Sequence, residues 1–81
     1  MFHKLIKETA IDIDGTAYVL LYHEQKTGRG TRRFSCEVLL ALGDRIILDD
    51  DSMTSLESRV ARLAPATVYS RLLAARPSVA A

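Results

Sequence analysis

The chain is 81 residues long and 48% hydrophobic, lacks tryptophan, and carries eleven Lys/Arg against ten Asp/Glu for a formal net charge of +1. That length holds one domain, near the lower limit at which a core works without staples, and that composition excludes disorder. Near-neutrality excludes the strong overall field of a dedicated duplex-binding protein but leaves room for a local basic patch. The one cysteine, Cys36, has no internal partner for a disulfide, which fits a reducing compartment. Met1 to Lys7 is too charged and too short of apolar run for a signal peptide, and no segment approaches a membrane-spanning length. The expectation is a cytoplasmic protein without a membrane partner.

Phe2 to Ile13 reads as a first strand, ended by Asp14-Gly15. Asp-Gly signals a type I′ hairpin, because both central positions need positive φ. With those two residues as the loop, Ile13 faces Thr16, Ile11 faces Tyr18 and Thr9 faces Leu20. Thr16 to Gln25 is the second strand, apolar on both faces at its centre: Tyr18, Leu20 and Tyr22 on one, Val19 and Leu21 on the other. A polar loop over Lys26 to Gly30 would pair Tyr22 with Phe34, Leu20 with Cys36 and Tyr18 with Val38. The third strand, Thr31 to Ala41, then puts Phe34, Cys36, Val38 and Leu40 on one face and Arg33, Ser35, Glu37 and Leu39 on the other. Both hairpins agree on one continuous apolar face. Gly43-Asp44 leads to a short fourth strand, Arg45 to Leu48. A two-residue turn sets Ile47 beside Leu40; a loop one residue longer or shorter turns Ile46 and Leu48 to that face.

The run Asp49-Asp50-Asp51 separates this strand-like half from a helix. Asp51 or Ser52 is a capping residue, Thr54 and Glu57 have capping-box spacing, and the aspartates complement the helix dipole. Met53, Leu56, Val60 and Leu63 form the buried stripe, and Val68, Tyr69, Leu72 and Leu73 continue an apolar face. Pro65 removes a backbone donor, so the helix is expected to bend or restart there. Arg76-Pro77 ends it. The predicted fold is α+β: a four-stranded antiparallel meander and a C-terminal helix kinked or broken near Pro65, one domain over 1–77 with a frayed tail at 78–81. The helix belongs on the face of Ile11, Leu20, Phe34 and Val38.

One helix covers one face. The other face carries Ile6, Ala10, Val19, Leu21, Leu39 and, in one register, Ile47, rimmed by Glu8, His23, Ser35 and Glu37. Four such side chains left wet forgo ~6–12 kcal/mol of burial, at about 1.5–3 kcal/mol each, which is comparable with the whole stability of a small domain. Apolar patches of this kind mark contact surfaces, so the leading expectation is a non-enzymatic interaction module that self-associates as a homodimer. Val19, Leu21 and Leu39 are its candidate contact residues, through the bare face or a sheet edge.

The alternative reading is a nucleic-acid-binding protein, preferring single strands, that uses the basic hairpin Lys26, Arg29, Arg32 and Arg33 on a phosphate backbone. Tyr22 and Phe34 near its base would supply stacking. Against it, charge runs commonly serve as solvated turns. The aspartate run matches no calcium-loop spacing and reads as helix capping. Cys36, with His23 or His3 as base, would make a nucleophile, but the alternation places it in the core, where a lone cysteine packs. Two histidines and one cysteine without close spacing make no zinc site, and Gly28-Arg29-Gly30 lacks the helix and lysine-serine pair of a phosphate loop. No catalytic residue, metal site, cofactor or small-molecule ligand is indicated. The order of four strands and a helix is similar to the topology of dimeric single-stranded-DNA-binding transcription coactivators. The lysine-glycine strand signature of that family is absent, so the resemblance implies no site residues here.

Overall fold

A computed structural model describes residues 2–75. Four strands, β1 (Phe2–Ile13), β2 (Thr16–Lys26), β3 (Arg32–Leu39) and β4 (Arg45–Asp50), form one antiparallel sheet in the order β1-β2-β3-β4, followed by a single helix, α1 (Met53–Ala75). Arg76-Pro77 and the tail at 78–81 lie outside the described residues.

The first hairpin has the expected register, with Ile13 opposite Thr16, Ile11 opposite Tyr18 and Thr9 opposite Leu20. Asp14 and Gly15 adopt φ of 53° and 82°, the pair of positive values that a type I′ turn demands. Further along, Lys7 keeps the register of the turn opposite Tyr22, and a bulge at Ile6 then makes Leu5 face His23. The extra residue exchanges the faces of the part of β1 that precedes it. Leu5, rather than Ile6 alone, therefore comes to the bare side. Lys7 stays on the helix side, where its ammonium lies 5.4 Å from the Tyr22 ring centre and 2.6 Å from Glu57 Oε2.

The second hairpin departs from expectation by two residues: Tyr22 lies opposite Cys36 and Leu20 opposite Val38. The loop is Thr27–Thr31 instead of Lys26–Gly30. Thr27 closes it. Its backbone N–H donates to the Thr31 carbonyl (2.9 Å), and its hydroxyl accepts from the N–H groups of Arg29 (3.3 Å) and Thr31 (3.2 Å). An even shift keeps every side chain on its expected face. A 3-10 turn at Ala41–Gly43 resolves the fourth strand, with the Leu40 N–H bonded to the Asp44 carbonyl at 2.9 Å and Gly43 at φ 77°. It sets Ile46 opposite Val38 and Leu48 opposite Cys36 on the helix side, and turns Ile47 to the bare side opposite Glu37. β4 also runs two residues beyond Leu48, taking up Asp49 and Asp50.

Ser52 caps α1: its hydroxyl accepts from the Ser55 N–H at 3.3 Å, and its carbonyl accepts from Leu56 N–H at 2.9 Å. The helix lies over β3 and β4. Leu20, Tyr22, Cys36, Val38 and Ile46 from the sheet meet Leu56, Val60, Ala64 and Val68 from the helix in one buried cluster. The stripe thus runs through Ala64 and Val68, with Met53 and Leu63 only half-buried, and Tyr69, Leu72 and Leu73 do not extend it. The break expected at Pro65 is absent, since α1 is one run from Met53 to Ala75. Proline removes the helical bond to the carbonyl of Ala61 and crowds it, at an exposed position where that carbonyl is accessible to solvent. Ala64 and Val68, packed on either side of it, hold the helix to the sheet.

Candidate self-association face and basic hairpin

The bare side of the sheet is assembled by the register. Glu8, Leu21, Glu37 and Ile47 form one row across all four strands, and Leu5, His23, Ser35 and Asp49 form the next. Ala10 beside Val19, and Leu39 beside Arg45, complete it. The expected contact residues Val19 and Leu39 are 39% and 37% exposed, Ile47 and Leu5 are 56% and 50%, and Leu21 is half-buried among them. Among the described residues no element lies over this face.

Within the apolar block sits one ionic device. Glu37 is held from both neighbouring strands: its Oε1 is 3.1 Å from His23 Nε2 on β2, and its Oε2 accepts from Arg45 Nη1 on β4 at 3.1 Å. The two approaches run diagonally across the sheet. His23 Nε2 is sealed from water, yet its approach to Glu37 is not aligned as a hydrogen bond. Around these three a shallow concavity of about 340 Å³ is completed by Gln25, Ser35 and Ile47. Ser35 is buried. The arrangement occupies both oxygens of the one carboxylate in the middle of the patch. This lowers the cost of covering that carboxylate, because a paired charge loses less on leaving water than a lone one. His23, Ser35 and Glu37 were legible as rim residues. Arg45 and Leu5 were not, since their places follow from the 3-10 turn and the bulge.

The four hairpin cations are not brought together. Lys26 and Arg32 lie opposite each other on the helix side, Arg33 projects to the bare side, and Arg29 is at the tip. Arg32 Nη2 donates to Glu24 Oε2 at 2.7 Å and its guanidinium lies 5.9 Å from the Phe34 ring centre. That bond holds the Glu24 carboxyl below the usual carboxylate range. Arg33 is 3.7 Å from Asp49. Lys26 and Arg29 make no ion pair among the described residues. Tyr22 is buried in the core and Phe34 is half-buried, so the pair does not form an open stacking platform.

Cys36 is fully buried beside Tyr22. Burial pushes the thiol up to about 11 and the phenol up to about 12, so both stay protonated at neutral pH. In the aspartate run, Asp50 Oδ2 accepts from the Ser55 hydroxyl at 2.7 Å, which is the first cause of its carboxyl being held at about 2. Arg59 donates to the Asp49 carbonyl and lies 3.5 Å from Asp50 Oδ2. These aspartates fasten the start of α1. Among the described residues no cluster of three or more His, Cys, Asp or Glu is placed to hold a metal, and no helix is long and apolar enough to cross a membrane. No protein-family model, curated protein or solved structure matches the chain.

Proposed function

We propose that this protein is a non-catalytic interaction module that self-associates through the bare side of its sheet. One observation supports the reading above all: Val19, Leu39 and Ile47 stand open to solvent around half-buried Leu21, with no element over them among the described residues. Contiguous apolar surface on a small domain marks a site of contact. The ionic group fits the same role, because Glu37, the carboxylate between Leu21 and Ile47, has a cationic or imidazole group at each oxygen. A two-fold contact suits it, since one patch then meets its own copy. The free, buried Cys36 fits work in the cytoplasm.

Light scattering across concentration tests the reading. The wild type is expected to have a higher mass than Leu21→Arg, while both keep the same circular dichroism. Equal masses reject the sheet face as a contact surface. The basic hairpin is the weaker reading, because two of its four cations are engaged by Glu24 and Asp49. Its test is a salt-dependent shift of labelled single strands, expected to vanish on Lys26→Glu with Arg29→Glu if the hairpin binds nucleic acid.

A further inference from the structure

The bare face carries its own charge complement. Its middle row, Glu8, Leu21, Glu37 and Ile47, crosses the four strands, with Leu21 at the centre of β2. On one side of that row lie Leu5, His23, Ser35 and Asp49; on the other lie Ala10 with Val19 and, in continued register, Leu39 with Arg45. A half-turn about the middle row lays a second sheet on the first and exchanges the two outer rows. Leu5 then lies over Ala10 of the second copy, Ser35 over Leu39, and Asp49 over Arg45, and each contact recurs with the copies reversed. The large side chain Leu39 meets the concavity of about 340 Å³ that Ser35 lines. The acidic Asp49 meets a guanidinium.

Both charged groups are available for this. Asp49 is 65% exposed, with Arg33 3.7 Å away, and Arg45 is 59% exposed while it holds Glu37. Stacking extends these two pairs into one line of alternating sign: Glu37 and Arg45 of one copy, then Asp49 and Arg33 of the other. On the axis Glu37 meets its mate, but each carboxylate is drawn aside by its own His23 and Arg45. Glu8 meets its mate at the border strand, where it is exposed. An axis along the strands, between β2 and β3, instead sets Leu21 on Glu37 and Ile47 on Glu8, pressing carboxylates against aliphatics. The area also suffices. Four strands at about 4.8 Å spacing make a face roughly 19 Å wide and about 30 Å long on average. Two such faces amount to roughly 1,100 Å², the size of a specific contact. We propose that two copies stack about an axis along the Leu21 row, and that Arg45 of each copy pairs with Asp49 of the other. This rests on the sheet-face reading, and it names the charges that select a second copy as the occupant.

A charge exchange tests the pairing by light scattering at one concentration. Asp49→Arg and Arg45→Asp are each expected to weaken self-association by roughly tenfold or more, because like charges then face each other at both ends of the contact. An equal mixture of the two variants is expected to regain the two-copy mass, since each supplies what the other lacks. Circular dichroism checks that both remain folded. Variants that keep the wild-type mass alone, or a mixture no heavier than its components, overturn the pairing. Cross-linking with a short bis-maleimide tests the axis without altering a charge, with the buried Cys36 left in place. Ile47→Cys places its mates roughly 10 Å apart and is expected to cross-link; Leu5→Cys, whose mates are roughly 17 Å apart, is expected to stay single. Equal cross-linking of the two overturns the axis. A wild type heavier than Leu21→Arg alongside either failure leaves the sheet-face reading standing, whereas equal masses for those two reject that reading itself.

Discussion

The two faces of the sheet are made from alternate residues of the same strands, yet they have opposite fates. Leu20, Tyr22, Cys36, Val38 and Ile46 are buried under α1, whereas their neighbours Val19, Leu39 and Ile47 are open to water. Residue type does not separate them; both sets are aliphatic at the centre. What separates them is the supply of covering elements, since one helix follows four strands. The polar residues tell the same story. On the covered side Lys7 carries its ammonium past the Tyr22 ring to Glu57 at the margin. On the bare side ionisable groups, His23, Glu37 and Arg45 among them, sit between the aliphatics. One surface is built for permanent exclusion of water, the other to tolerate both water and contact.

This contrast can be broken most severely at Leu56. Leu56→Ala removes a fully buried side chain that joins lid to sheet and is expected to cost about 2–5 kcal/mol, read from denaturant midpoints. Ser52→Ala loosens the lid at its origin and is expected to cost ~1 kcal/mol. Leu39→Ala, made in the Leu21→Arg background so that sheet-face contact does not enter, is expected to change stability by about 0.5 kcal/mol or less. A cost for Leu39 as large as that for Leu56 would mean that the bare side is packed within one molecule. The gentlest test is acid. Asp50 has a folded pKa of about 2 against an ordinary 3.8, set first by the Ser55 hydroxyl. Its contribution is therefore fully present above pH 3.8 and is lost as pH falls toward 2. Asp50→Asn should flatten that part of a stability-versus-pH curve and leave the neutral region level with pH.

The faces of nearly every strand residue were legible in the alternation, because a half-buried strand repeats every two residues. The Asp14-Gly15 turn was legible to the residue, since few sequences accept two positive φ values in succession. Errors arose where a local choice is nearly balanced. Leu5 and Ile6 are both aliphatic, so the sequence contains no signal for which one bulges. The Thr27 loop depends on a hydroxyl accepting two backbone N–H groups, a pattern that a five-residue loop starting one position earlier imitates. Pro65 announced a bend or a restart, and the restart does not occur, since α1 runs on through it with Ala64 and Val68 packed on the sheet. The candidate face was legible as a set of residues, but its ionic centre was not. Diagonal neighbours such as His23 and Arg45 around Glu37 appear only once two registers are correct.

The bulge in β1 has one more effect. β1 is a border of the sheet and, at twelve residues, its longest member. A straight border of that length would be a template on which stray chains could align their amides, the first step toward a fibre. The irregularity at Ile6 interrupts the even row of donors and acceptors, and Lys4, Lys7 and Glu8 surround the interruption with charge. Sideways growth of the ribbon is thereby discouraged. A chain that carries oily surface in solution is left with stacking, a finite kind of assembly, in place of endless lateral extension.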